Sequence, residues 1–378
     1  MRIRLVRAAL AAAGAIAGVA LAPLAAAQDV SVELPLGIGL RTPSYDRVNG
    51  LSLPFGPRIV FGDQRVVIDP SVTYRSHLGK VDAALGVTAN MTGDSSLAVS
   101  VVGSRGTFTN DAWIRTNLIN SFVTFAEGRD ARNYFRGDRA EARLTGRLPG
   151  VLDGASLFVG GRAERDWSTG WRLDERRGPY SIIDRSDQVD GIQRPNPLVA
   201  PGHLYSALAG GHFAHEGLRL HMAFDAVVEH ATSRSVTGSF TQGTIDLHGG
   251  VETFPGQRFE LNSHLVTTSG DQAAPPQRFG YIGGSGSLAT VPLLSMGGDH
   301  LYFFDAAYVI PVPGVNLPLL GQPYLAPRFA GGAASVGGFG APVQNVGVRA
   351  GASFISIDFL VNPRTHERDF GVGLAIPY

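Results

Sequence analysis

The sequence predicts an all-β protein, a transmembrane antiparallel β-barrel with alternating runs for about fourteen to sixteen strands. Three observations carry that expectation. Apolar and polar residues alternate with a period of two through segment after segment, as strands with one greasy and one wet face require. The amino terminus reads as a secretory signal, with a basic start (Arg2, Arg4, Arg7), an apolar stretch from Ala8 to Leu24 and three alanines before Gln28. Beyond it, no stretch reaches the apolar length of a membrane helix, so an exported chain that enters a membrane must do so as a barrel.

Composition narrows the function classes. Hydrophobic residues make up 44% of the 378-residue chain and the formal charge is zero, which excludes a highly charged disordered chain. The basic residues are arginines apart from Lys80, and they form no stripe for nucleic acid. With no cysteine, disulfides and thiolate metal sites are ruled out. Ser, His and Asp show no nucleophile elbow or triad spacing, so the chain is expected not to be an enzyme and to need no cofactor. The expected division is a signal peptide over 1–27, a short periplasmic segment over 28–49 and the barrel over 50–378.

Along the barrel, Val66, Ile68, Pro70, Val72 and Tyr74 share one face against Arg65, Asp69, Ser71, Thr73 and Arg75. A tight connection at 77–80, read as a periplasmic turn, leads to the run from Val81 to Ala89, and Leu97 to Val101 repeats the pattern. Residues 112–125 read as a less regular strand, with Trp113 and Phe125 placed as interfacial aromatics. In the next run Arg139, Glu141, Arg143, Thr145 and Arg147 oppose Ala140, Ala142, Leu144, Gly146 and Leu148. Those charges suit a polar lumen, although a soluble sandwich would also accommodate them.

Residues 165–202 break the rhythm with Trp167, Trp171 and four prolines, and read as one long extracellular loop. Alternation returns at 218–230, where Asp225 and Glu229 join the polar face, and again at 245–251 and 259–265. His221, His248 and His264 recur on that face. They lack metal-site spacing, so hydrated lumen residues are expected there and no metal. Asp305 and Asp358 are further lumen-facing acids, and 346–361 reads as one long strand or as two joined near Phe354.

Glycines at 283, 284 and 286 mark a loop that precedes an aromatic strand. No lysine or helix follows in the manner of a phosphate site. The order Gly283, Gly284, Ser285, Gly286, Ser287, Leu288, Ala289, then GDHLYFFDAAYVIPV over 298–312, resembles the sixth extracellular loop and following strand of the outer-membrane barrel superfamily that contains BamA, TamA and the bacterial surface antigens. The carboxy-terminal alternation of Phe370, Val372, Leu374, Ile376 and Tyr378 resembles the strand read by the barrel-assembly machinery, with Tyr in place of the usual Phe. SYDRVNGL over 44–51 resembles the opening of such barrels, though an ordinary periplasmic turn accounts for it as well.

The resemblance implies sixteen strands, a glycine-rich loop folded into the lumen, an outer-membrane location and partners limited to membrane lipid, the assembly machinery and a client protein or solute. In that family the loop also carries an arginine that meets acids on the barrel wall. Aligning Ser287-Leu288-Ala289 with the motif leaves the arginine position empty, so the loop is expected to be held by glycine packing, with Asp305 or Asp358 unneutralised. No room for periplasmic polypeptide-transport domains is read between 28 and 50. Protein insertion or translocation, a porin-like solute channel and a surface structural protein all stay open.

Overall fold

A computed structural model describes residues 30–148, 154–169, 194–233, 238–353 and 355–374. The segment 1–27, expected to be a signal peptide, and Trp171, Phe354, Ile376 and Tyr378 lie outside the described residues. Eighteen strand segments form one antiparallel sheet. They occupy sixteen positions, because two of those positions are each made of two segments.

The first position, β1, is Val30–Glu33 and Ser44–Asp46; the second, β2, is Gly50–Phe55 and Arg58–Phe61. Both segments of β2 pair with β3 (Val66–Arg75) in one unbroken register, from Ser52↔Arg75 to Phe61↔Val66. In that register Pro57 falls opposite Pro70, and neither can donate to the ladder, so hydrogen bonding lapses there. Arg41 fills the gap, donating from Nη2 to the Pro57 and Pro70 carbonyls at 3.3 and 3.2 Å while pairing with Asp69. The segment 28–49, expected to precede the barrel, thus supplies from Val30 onward the first position of the sheet.

The remaining positions are β4 (Lys80–Asn90), β5 (Leu97–Phe108), β6 (Phe135–Arg147), β7 (Ala155–Trp167), β8 (Gly202–Glu216), β9 (Leu220–Ser233) and β10 (Ser239–Phe254). They continue with β11 (Gln257–Gly270), β12 (His300–Pro311), β13 (Pro323–Ser335), β14 (Val343–Ala352), β15 (Ile355–Val361) and β16 (Arg368–Leu374). Residues 346–361 are therefore two strands. Each position pairs with its neighbours in sequence, but among the described residues β16 pairs only with β15 and β1 only with β2. The sheet curls round without closing.

The outward face is apolar, with Val72, Val81, Leu85, Leu144, Val159, Val228, Leu325, Val348, Phe359, Phe370 and Val372 all exposed. A band this continuous is foreign to a water-soluble surface. Among the described residues no helix is long and apolar enough to cross a membrane, which says nothing of a barrel.

Connections of very unequal length leave the two ends of the sheet. The long ones, 109–134, 168–201 and 271–299, share one end with 47–49 and 76–79. Both SYDRVNGL and the 77–80 turn therefore belong to the long-loop end, contrary to the reading of each as a periplasmic turn. There His77 N donates to the Asn49 carbonyl at 2.9 Å, and Arg47 is fully buried. The expected strand over 112–125 is instead a loop leading into helix α1 (Asn117–Glu127). Thr116 caps its first turn, Gly128 ends it at φ 72°, and Asn120 and Thr124 are the residues it buries. A spacing of three to four between Leu118, Phe122 and Phe125 is helical; read at period two it gave the irregular strand.

Candidate functional site: the occupied lumen

The inner face of the barrel is lined by ionised groups. On β6 and β7, Glu141 accepts from Arg162 Nε at 2.7 Å and also from Arg143, while Arg139 Nε donates to Glu164 at 3.0 Å. Glu229 on β9 lies 3.6 Å from Arg162. Asp82 on β4 is held between Arg136, at 2.5 and 2.8 Å, and Arg75. Arg147 stands at the far end of the same face of β6, where it is exposed.

Across the lumen, Arg328 on β13 grips Asp305 with Nε and Nη2, each at 2.8 Å, and reaches Asp358 at 3.1 Å. Arg349 takes both oxygens of Asp358, at 2.9 and 3.2 Å. Neither acid is left unneutralised, contrary to the expectation from sequence. Their partners sit one or two strand positions away in the sheet, which a strand-by-strand reading does not show.

The lumen histidines do not converge. His264 meets Asp246 at 2.6 Å, His248 meets Asn262 at 2.9 Å and His212 meets Asp225 at 2.8 Å, and no group able to hold a metal occurs among the described residues. Trp113, expected at the membrane interface, instead stacks on His264 inside the barrel at 4.2 Å and 10°.

Into this space folds the loop 271–299. Its base is a short hairpin pairing Gly280–Ile282 with Met296–Gly298. Ile282 and Leu288 are fully buried against Val266, Leu301, Phe303 and Ala330 of the inner wall, so the loop is bound by apolar packing as well as polar contacts. Glycine is required where the chain turns back: Gly283 has φ 126°, and a Cβ there would stand 2.2 Å from the Pro292 carbonyl oxygen. Gly284 N donates to the carbonyls of Leu288 and Val291, and Gly283 N to Ser287 Oγ. Gly286 lies against Ile114, Ser285 offers its carbonyl to Arg115 Nη2 at 2.7 Å, and Ala289 is half-buried beside Thr290, which is hydrogen-bonded to Asn345 of β14.

An arginine does anchor the loop, and it lies eleven residues before Ala289. Arg278 is buried and donates from Nε to Glu229 at 3.1 Å and from Nη2 to both Glu229, at 3.2 Å, and Glu164. Gln242 Nε2 holds its backbone carbonyl at 3.1 Å. The expectation that the loop has lost its arginine is therefore corrected. The overlooked signal was Arg278-Phe279-Gly280-Tyr281, an arginine just ahead of a glycine flanked by aromatics. It precedes the glycine run instead of following it, and its acids come from β7 and β9 instead of β12 or β15. Burial strips water from the guanidinium, yet two glutamates overcompensate and raise its pKa.

With this geometry in view, the chain can be set beside a solved structure, BamA from Haemophilus ducreyi lacking POTRA domains 1-3. Superposition gives a TM-score of 0.51 over 91% of this chain and 70% of that one, at 12% identity. This chain has the fold of the BamA barrel. The BamA likeness is at an identity that speaks for architecture alone. CdiB from Acinetobacter baumannii and CdiB from Escherichia coli align less closely, with TM-scores of 0.44 and 0.45 at 9% and 11% identity. They are matched over 88% and 87% of this chain, which spans 57% and 59% of theirs. No family model and no curated protein matches the sequence.

Around the loop 271–299, the connections 47–49, 109–134 and 194–201 build a cap over the long-loop end. Arg47 donates to the carbonyls of Arg194, at 2.6 Å, and Arg132, at 3.1 Å. Arg194 donates to Asn133 and to the carbonyls of Asp130 and Arg132, and burial lowers its pKa to about 9. Asp111 is buried beneath Tyr281 of the loop, accepts from Asn133 N at 2.8 Å and faces Arg194 and Arg132. Burial outweighs those cations and pushes its carboxyl up to about 7.

The sign follows from linkage. Between the ordinary value and about 7 the folded chain holds a proton that the unfolded chain has released, so stability falls as pH rises through that window. A shift of that size corresponds to at most about 4 kcal/mol. Asp111→Asn is expected to melt higher than the native chain at pH 8 and nearly with it at pH 5, as read from melting curves in detergent; equal differences at both pH values would contradict the assignment.

Proposed function

We propose that this chain is an integral outer-membrane barrel that inserts or translocates other proteins, with no chemistry of its own. The observation that carries the reading is the open sheet: among the described residues β1 and β16 are left with unpaired edges while the lumen is filled by a loop. In a bilayer, unsatisfied backbone groups are costly, and an added strand is what satisfies them. The continuous apolar outer face supports membrane insertion, and the long loops would then be extracellular. The loop held inside by Arg278 weighs against a freely conducting solute channel.

The reading is tested by reconstituting the chain in liposomes and adding a urea-denatured outer-membrane barrel as client. Client folding, followed by its heat-modifiable migration, is expected to run several-fold faster than in protein-free liposomes. Unchanged client folding, together with a steady ohmic conductance, would replace this reading with that of a solute channel.

A further inference from the structure

On the outer face of β5 to β8, one to three residues from the long-loop end, the register places Arg105, Asp138, Arg165 and His203 directly opposite one another in a single row. These positions alternate with the lumen-facing Arg139 and Glu164, so all four side chains point away from the lumen. The Arg105 and Asp138 side chains are 58% and 40% exposed, and Arg165 and His203 are exposed too. Arg105 occupies both oxygens of Asp138, through Nε at 2.6 Å and Nη2 at 2.9 Å. Arg165 lies opposite Asp138 on one side and His203 on the other, and makes no side-chain hydrogen bond or ion pair among the described residues.

Directly beneath the charges the outer wall turns smooth and apolar. The next two rows are Gly103, Ala140, Ala163 and Tyr205, then Val101, Ala142, Gly161 and Ala207. Four strands at sheet spacing make the row about 14 Å wide, broader than one phosphate. Arginine forks match phosphate oxygens bidentately, and small side chains below let hydrocarbon lie flush against the wall. Tyr205, stacked with His203 at 6.4 Å, adds an aromatic at the boundary between the two zones.

We propose that this row is a binding site for the headgroup of a phosphorylated glycolipid of the outer leaflet, whose acyl chains lie along the small-residue strip. Arg165 and Arg105 bind the phosphates; Asp138 holds Arg105 in place when the site is empty. The inference rests on the outer-membrane reading but not on client insertion.

The test uses the mature chain refolded in detergent micelles, titrated with diphosphorylated lipid A, with its dephosphorylated counterpart and with inorganic phosphate, and followed by melting temperature. Lipid A is expected to raise the melting temperature saturably, and the other two to leave it unchanged. Arg165→Gln, and Arg165→Gln combined with Arg105→Gln, should weaken half-saturation at least tenfold, whereas Asp138→Asn should bind at least as tightly as the native chain. Equal binding by the double variant, or an equal shift with inorganic phosphate, overturns the site. Heat-modifiable migration is recorded for every sample. A folded barrel that ignores lipid A refutes this proposal alone, while a native chain that never shows such migration refutes the outer-membrane reading beneath it.

Discussion

Replacing Arg278 with alanine is expected to destabilise the barrel by about 3 kcal/mol and to free the loop 271–299 from the wall. Glu164 and Glu229 would stay buried, and removing one partner of a buried charge cluster costs about 3–5 kcal/mol. The lower end applies because each glutamate keeps an arginine, Arg139 for Glu164 and Arg162 for Glu229. Arg278→Lys should fall between native and alanine, since an ammonium cannot span both carboxylates as the guanidinium does. Denaturant melts give the stability. Protease cleavage within 271–299 gives the loop release, and a loop no more cleavable than in the native chain would contradict the anchoring role.

Arg328→Ala should cost a comparable amount, about 3–5 kcal/mol, with a different consequence. Asp305 would lose both of its hydrogen bonds to Arg328, while Asp358 would keep Arg349. These groups join β12, β13 and β15 across the wall, and the hydrogen bonds of Arg328 go to no residue of the loop. The variant should therefore melt early yet keep its loop as protected as in the native chain. Equal loop cleavage in Arg278→Ala and Arg328→Ala would mean that both act through general destabilisation, and that Arg278 is no dedicated anchor.

Much of the architecture was legible because period-two alternation reports directly on a wall with unlike faces. The run from Arg139 to Arg147 showed two unlike faces without deciding between a lumen and a soluble sandwich, and such runs counted to about fourteen to sixteen strands, of which the family resemblance picked sixteen. What escaped were features set by contacts distant in sequence. Arg278 is a loop residue with no periodic neighbour, and its partners lie 49 and 114 residues away. Arg47 and Trp113 sit in connections, where a turn or interface residue and a buried cap residue look alike. The helix α1 was obscured because Leu118, Phe122 and Phe125 leave their apolar side exposed, whereas the side it buries carries Asn120 and Thr124. An inverted pattern of that kind misleads any reading based on hydrophobic periodicity.

The central claim is that the loop held by Arg278 occupies the barrel lumen. Single-channel recording in planar bilayers tests it most directly, comparing the native chain with one lacking residues 280–298. The native chain should pass little steady current, and the deleted chain should conduct several-fold more. A native chain that already conducts freely, and is unchanged by the deletion, would place the loop outside the lumen and contradict the account.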